Sequence, residues 1–155
     1  MIRALMFAAL LGATSAAASE RHVGYYYPAV TSTEVFDRVI RRPGSNRDVR
    51  IDFLTQLTQA QLSAPESPRY IFSAKGTAST ELIVVALDDE IFRTIYRARA
   101  VMAQMTSNIR SSPLFQEEEL QTVATFYDLL QMLEFDSLII TDGHSWTHRV
   151  EFRRD

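Results

Sequence analysis

The run Ser137-Leu138-Ile139-Ile140-Thr141-Asp142-Gly143-His144-Ser145-Trp146-Thr147-His148-Arg149-Val150-Glu151-Phe152 decides the fold. Two β-rich segments flank Asp142-Gly143, a dipeptide that readily takes the positive φ angles of a two-residue type I′ turn, so the spacing predicts a terminal hairpin. With that turn, Thr141 faces His144, Ile139 faces Trp146 and Ser137 faces His148. Side chains alternate along a strand, so residues 144, 146, 148, 150 and 152 share the core face, while Ser145, Thr147, Arg149, Glu151 and Arg153 share the other. The segment before the turn is apolar on both sides, which predicts an inner strand, with the last strand nearer an edge.

This run also holds the only Trp and two of the three His. Asp142, His144, Trp146 and His148 are therefore the first candidates for a polar site. His144 and His148 have the four-residue separation that suits a metal on a helix, but on a strand they lie about 13 Å apart, too far to share one zinc ion. Asp142 at a turn is expected to bond its own backbone. There is no Gly-x-Ser-x-Gly elbow and no Cys, so no catalytic nucleophile is marked, and neither a metal nor another cofactor is expected.

Upstream, Tyr70 to Ala74 and Leu82 to Leu87 are rich in strand formers and predict a second hairpin across a polar connection. Lys75-Gly76-Thr77 within it is not a phosphate loop, because a strand rather than a helix follows. Asp88-Asp89-Glu90 are placed to complement the dipole of the longest helix, whose stripe is Ile91, Ile95, Ala98, Met102, Met105 and Ile109. Arg93, Arg97, Arg99 and Arg110 decorate it and are expected to pair at the surface with acidic residues such as Glu117 to Glu119, the alternative being an arginine clamp on a carboxylate or phosphate; Arg97 is the one taken as a candidate site residue. After Ser111-Ser112-Pro113, a further helix is expected from about Leu120 to Leu133.

Thr31 to Ile40 fits a helical stripe with a Thr31/Glu34 capping box, although its β-branched content suits a strand too. Ser45 with Asp48 is expected to cap a second helix running to Leu62, closed by Pro65 and Pro68. Before these, Tyr25, Tyr26 and Tyr27 form an aromatic arm (residues 19–30), extended because Pro28 disfavours helix at Tyr27. Three rings repay being laid against the domain, or they wall a ligand or partner site.

The first 18 residues read as a signal peptide: Arg3 is the positive region, Ala4 to Leu11 the apolar run, and Ala16-Ala17-Ala18 the small residues before a cut expected after Ala18. The apolar run is well short of the roughly 20 residues that cross a bilayer, and no later segment resembles a span. A periplasmic or secreted location is expected, with residues 19–155 as one domain. The chain has no Cys, so packing alone must hold it in an oxidising compartment. Loss of Arg3 takes the formal charge from -3 to -4, and Lys75 is the only lysine, which argues against nucleic acid as a partner.

Taken together, the elements predict an α+β fold: an antiparallel sheet of two hairpins packed against helices in a two-layer sandwich. Arg21 to Pro28, Ser73-Ala74-Lys75-Gly76, Leu82 to Leu87, Ile95 to Ala100, Ser112-Pro113-Leu114-Phe115 and Ile140 to Gly143 together resemble a group of small exported alphaproteobacterial proteins. Some of that group carry the label molybdopterin-guanine dinucleotide biosynthesis protein A. The resemblance implies export and the order of elements, and it implies no catalytic residues. The guanylyltransferase chemistry of the label goes with a Gly-rich Leu-Ala-Gly-Gly opening that this chain lacks.

The function expected is that of an exported binding or accessory protein, holding a small ligand or a periplasmic protein partner with Tyr25 to Tyr27 and the His144-Trp146-His148 face. The rival is an enzyme, a hydrolase or nucleotidyltransferase, working through Asp142, His144 and Arg97. A third expectation is an envelope assembly factor that serves only to be bound.

Overall fold

A computed structural model describes residues 28–38, 44–88, 90–111, 116 and 124–153. The expected signal peptide and Tyr25, Tyr26 and Tyr27 lie outside these residues. The elements run β1 (Ser32–Phe36), α1 (Arg47–Leu62), β2 (Tyr70–Lys75), β3 (Glu81–Ala86), α2 (Ile95–Arg110), α3 (Phe126–Met132), β4 (Ser137–Thr141) and β5 (Thr147–Phe152). The fold is α+β. Among the described residues no helix is long and apolar enough to cross a membrane.

Both expected hairpins are present, β2 against β3 and β4 against β5, each antiparallel. The sheet they build is nevertheless mixed, in the order β1-β5-β4-β3-β2, and this corrects the antiparallel expectation. Helices intervene between β3 and β4 and return the chain to the end of the sheet where β3 began, so the two strands pair in parallel, Val84 beside Ile140. The second parallel pair, β1 with β5, forms where a helix was expected at Thr31 to Ile40. The outer edge of β5 offers unpaired backbone groups, and the alternation Ser32, Glu34, Phe36 against Thr33, Val35 fits a strand laid on that edge. Tertiary pairing overrides local helical spacing here. β5 is therefore an inner strand, while β4, buried at all five positions, lies at the centre as its two apolar sides predict.

Leu82, Val84, Leu138, Ile140 and Val150 point to the helix-covered face and join Met102, Met105, Phe126 and Leu130 in one core. Ile83 and Ile139, on the alternate side of the same strands, are also fully buried. The helix boundaries are set by caps that differ from those expected. Asn46, rather than Ser45, accepts from the Val49 N–H to start α1. Thr94, rather than the Asp88 to Glu90 run, caps α2, because Ile91 and Phe92 are first drawn into the core and the helix begins only after them. α1 and α2 are equally long, 16 residues each. A Thr125/Asp128 capping box starts α3 at Phe126, several residues later than the apolar spacing suggested.

One buried charge holds these layers together. Arg50, only 4% exposed, donates from Nε and Nη2 to the Ala78 carbonyl at 3.1 and 2.9 Å and from Nη1 to the Leu133 carbonyl at 3.1 Å. It thereby ties α1 both to the β2–β3 connection and to the end of α3. Arg50→Met is expected to destabilise the domain by about 2–3 kcal/mol, because it strands two carbonyls that now receive charged donors. Arg50→Lys, which lacks the forked geometry, should fall between the two. Urea unfolding midpoints of the three proteins check the order.

Candidate functional site

Asp142-Gly143 does not make a two-residue turn. The loop between β4 and β5 spans residues 142–146, and the pairs are Thr141 with Thr147, Ile140 with His148 and Leu138 with Val150. The register departs from the expected one by three residues, which corrects the pairing of Thr141 with His144, Ile139 with Trp146 and Ser137 with His148. An odd shift moves each cross-strand partner to the other face, so His148 lies beside Ile140 on the helix-covered side. The cause is the Asp142 side chain. Its Oδ1 accepts the N–H groups of His144, Ser145 and Trp146, each at 2.9 Å, and Oδ2 accepts the Ser145 hydroxyl at 3.0 Å. The Asp142 N–H also donates to the Trp146 carbonyl at 3.1 Å. Gly143 supplies the positive φ that this wider loop needs.

Where β1 enters the sheet, its start lies beside the end of this loop. Thr31 donates from its N–H and its hydroxyl to the Thr147 carbonyl at 2.8 and 2.7 Å, and the Thr147 N–H returns a bond to Thr31 Oγ1 at 3.1 Å. The parallel register then sets Ser32 opposite His148. Ser32 and Glu34, two apart on one face, flank the imidazole: Ser32 Oγ is 2.8 Å from Nδ1, and Glu34 Oε1 is 3.5 Å from Nε2. Arg99 on α2 holds the other carboxylate oxygen at 2.8 Å. Trp146 stacks on the His148 ring, with centroids 6.0 Å apart and planes at 19°.

The electrostatics follow from that packing. Burial pushes the Glu34 carboxyl up, but hydrogen bonds from Arg99 and His148 outweigh it and hold the group below its ordinary value. Burial, reinforced by the Glu34 charge, pushes the Tyr127 hydroxyl up to about 12, so it stays a neutral donor. His148 is 3% exposed, and its buried Nε2 has no hydrogen-bond partner closer than the Glu34 contact among the described residues.

Two concavities meet this cluster. A groove of about 530 Å³ runs from Glu34 and Arg99 to Arg110, floored by Phe36, Met102 and Tyr127. Its apolar floor is braced by edge-on contacts of Phe36 with Tyr127 at 5.5 Å and with Phe152 at 5.9 Å. A second cleft, about 460 Å³, is lined by Glu90, Arg93, Asp142, His144 and Trp146. Glu90 pairs with both Arg93 and Arg97, the latter at 2.9 Å.

Of the residues singled out from the sequence, Asp142, His144 and Trp146 thus line one cleft, Arg97 reaches it through Glu90, and His148 lies under Trp146. Tyr25, Tyr26 and Tyr27 fall outside the described residues. Ser32 and Tyr127 were not singled out as site residues from the sequence, Glu34 was read as a helix cap, and Arg99 entered only as one of four arginines placed on the longest helix. Reading residues 31–40 as a helix hid the period-two spacing that puts Ser32 and Glu34 on one face. Among the described residues no group of three His, Asp or Glu is placed to hold a metal ion.

The loop anchor carries a pH signature. Burial raises the Asp142 carboxyl, but the N–H groups of Trp146, His144 and Ser145 and the Ser145 hydroxyl overcome this and place it below its ordinary 3.8. A carboxyl depressed by folding contributes stability that is complete above 3.8 and is lost as pH falls through the lower folded value. Wild type is therefore expected to exceed Asp142→Asn by up to about 1 kcal/mol at neutral pH, the loop being solvent-screened. The difference should close on acidification below pH 3.8; urea titrations of both proteins at several pH values measure it. Comparison of the chain with protein-family profiles, characterised proteins and solved structures finds no match in any of the three.

Proposed function

We propose that this chain is an exported periplasmic protein, like the small alphaproteobacterial proteins it resembles, and that it acts as a binding or accessory protein for a small amphipathic carboxylate. One observation carries the binding reading: the groove between β1 and α2 combines an apolar aromatic floor with guanidinium groups at both ends, Arg99 and Arg110. Its volume lies in the range of small-molecule sites, and the groups beside it have displaced ionisation. Arg99 is already matched by Glu34. Arg110 donates its Nε to the Ala124 carbonyl at 3.2 Å, which fixes the guanidinium plane; among the described residues its outer nitrogens meet no carboxylate and can receive one from a ligand. An alkyl or aryl body would lie on Phe36, Met102 and Tyr127.

The enzymatic alternative through Asp142, His144 and Arg97 draws less support. The oxygens of Asp142 are committed to its own loop, and Arg97 is committed to Glu90. A general base needs a lone pair directed at substrate, and Asp142 spends its lone pairs on backbone.

Two measurements test the proposal. N-terminal sequencing of protein from the periplasmic fraction should begin at Ser19; an intact Met1 on periplasmic material would overturn the processing. Titration with a dansylated medium-chain fatty acid should show saturable one-to-one binding. Ala103→Trp, which fills the groove from an exposed position, and Arg110→Gln should each weaken it about tenfold, roughly 1.4 kcal/mol. Absence of saturation, or affinity indifferent to both substitutions, refutes the groove as the binding site.

A further inference from the structure

We propose that Ser32, His148 and Glu34 form a hydrolytic relay that cleaves small carboxylic esters at the end of the groove. This rests on the groove reading for its substrate and adds a reaction to it.

The three side chains stand in the order that nucleophilic hydrolysis requires: hydroxyl, imidazole, carboxylate. Ser32 Oγ lies 2.8 Å from Nδ1, and Glu34 Oε1 lies 3.5 Å from Nε2. An ionised carboxylate can only accept, so Glu34, kept ionised by Arg99, selects the tautomer with its proton on Nε2. That choice leaves Nδ1 as an acceptor aimed at the Ser32 hydroxyl. The ring nitrogens are used in the reverse of the usual sense, which changes no role, since such relays are recognised by geometry and not by atom name.

Exposure is divided as the chemistry needs. Ser32 is open to solvent, while His148 is buried beneath Trp146. Among the described residues the buried Nε2 has only the long Glu34 contact. In the transition state the ring carries a second proton and meets the Glu34 carboxylate in a water-poor setting, where opposite charges attract most strongly. Catalytic contacts of this kind are commonly long before substrate arrives. Among the described residues β1 is also an outer strand of the sheet, and the N–H groups on the side away from β5 face no described strand and can meet the ester carbonyl oxygen.

In the first step, Ser32 Oγ attacks the ester carbonyl carbon and its proton passes to Nδ1. The tetrahedral adduct collapses, the carbon–oxygen bond to the alcohol breaks, and the alcohol leaves with the Nδ1 proton. Water then adds to the acyl-Ser32 carbonyl, giving a proton to Nδ1. Release of the carboxylic acid returns that proton to Ser32 Oγ. The acyl chain occupies the groove beyond Glu34, so the acid released is the amphipathic carboxylate that the groove is built to hold.

The test uses the purified protein, a fluorophosphonate probe and p-nitrophenyl butyrate. The wild type should be labelled on the peptide containing Ser32 and should hydrolyse the ester. Ser32→Ala should abolish the label and lower turnover by at least about 100-fold. Glu34→Gln should retain label at a rate reduced about tenfold or more, a graded effect expected of a group that acts through His148. An unlabelled wild type, label on another serine, or undiminished turnover in Ser32→Ala overturns the relay and leaves Ser32 as a tether of β1. Because Ser32 is exposed, its alanine variant should fold, which its thermal midpoint verifies. The two proposals separate on the fatty-acid titration: unchanged binding in Ser32→Ala without any ester hydrolysis by the wild type sinks the relay alone, whereas Ser32 labelling without saturable binding sinks the groove alone.

Discussion

The parallel pairing of β1 with β5 is the constraint on which the rest of this structure depends. Without it, β5 would present a bare edge, and the His148 imidazole, on the core face of that strand, would lose its polar partners. With it, the edge moves outward to a short strand, and Ser32 and Glu34 are carried to the two sides of the imidazole. The lock at its start, Thr31 with Thr147, lies at the mouth of the loop that holds Trp146. Strand pairing and site construction are therefore one event.

The centre of the sheet sets where that event occurs. β3 and β4 are buried on both faces, which admits them only to inner positions. The helices between them enforce a parallel arrangement and place the two hairpins back to back. Arg50 then fixes α1 against the β2–β3 connection and the end of α3, using a charge whose three nitrogens each donate to a carbonyl. A buried guanidinium held at all three nitrogens constrains geometry even where its net contribution to stability is modest.

Charge in this protein is arranged in small matched groups. Arg99 with Glu34, Arg93 and Arg97 with Glu90, and Arg69 with Asp88 each confine a guanidinium to a local partner. Exposed pairs of this kind contribute little to stability. Their consequence is positional: Arg99 keeps Glu34 ionised beside a buried imidazole, and Glu90 holds two arginines at the rim of the cleft beneath the 142–146 loop.

Much of this architecture was legible in the chain. The α+β class, both hairpins, the inner place of Ser137–Thr141 and the extent of α1 follow from alternation, apolar runs and helical spacing, which are local properties. The loop misreading is also local in origin. Asp142-Gly143 suits a two-residue turn, but one carboxylate collecting three N–H groups stabilises a longer one, and that preference shows only when the backbone can close around it. Asp142, His144, Trp146 and His148 stood out as rare residue types near one another. Ser32 and Glu34 could not, because their meaning lies in His148, 116 residues beyond Ser32. The sequence by itself determined which segments are strands or helices wherever periodicity was strong, and which face of each is apolar. Only the tertiary structure decided which strands are parallel, which register β5 adopts and which side chains meet His148, because a strand edge is satisfied by any compatible partner and the choice among them is made by packing the whole sheet at once.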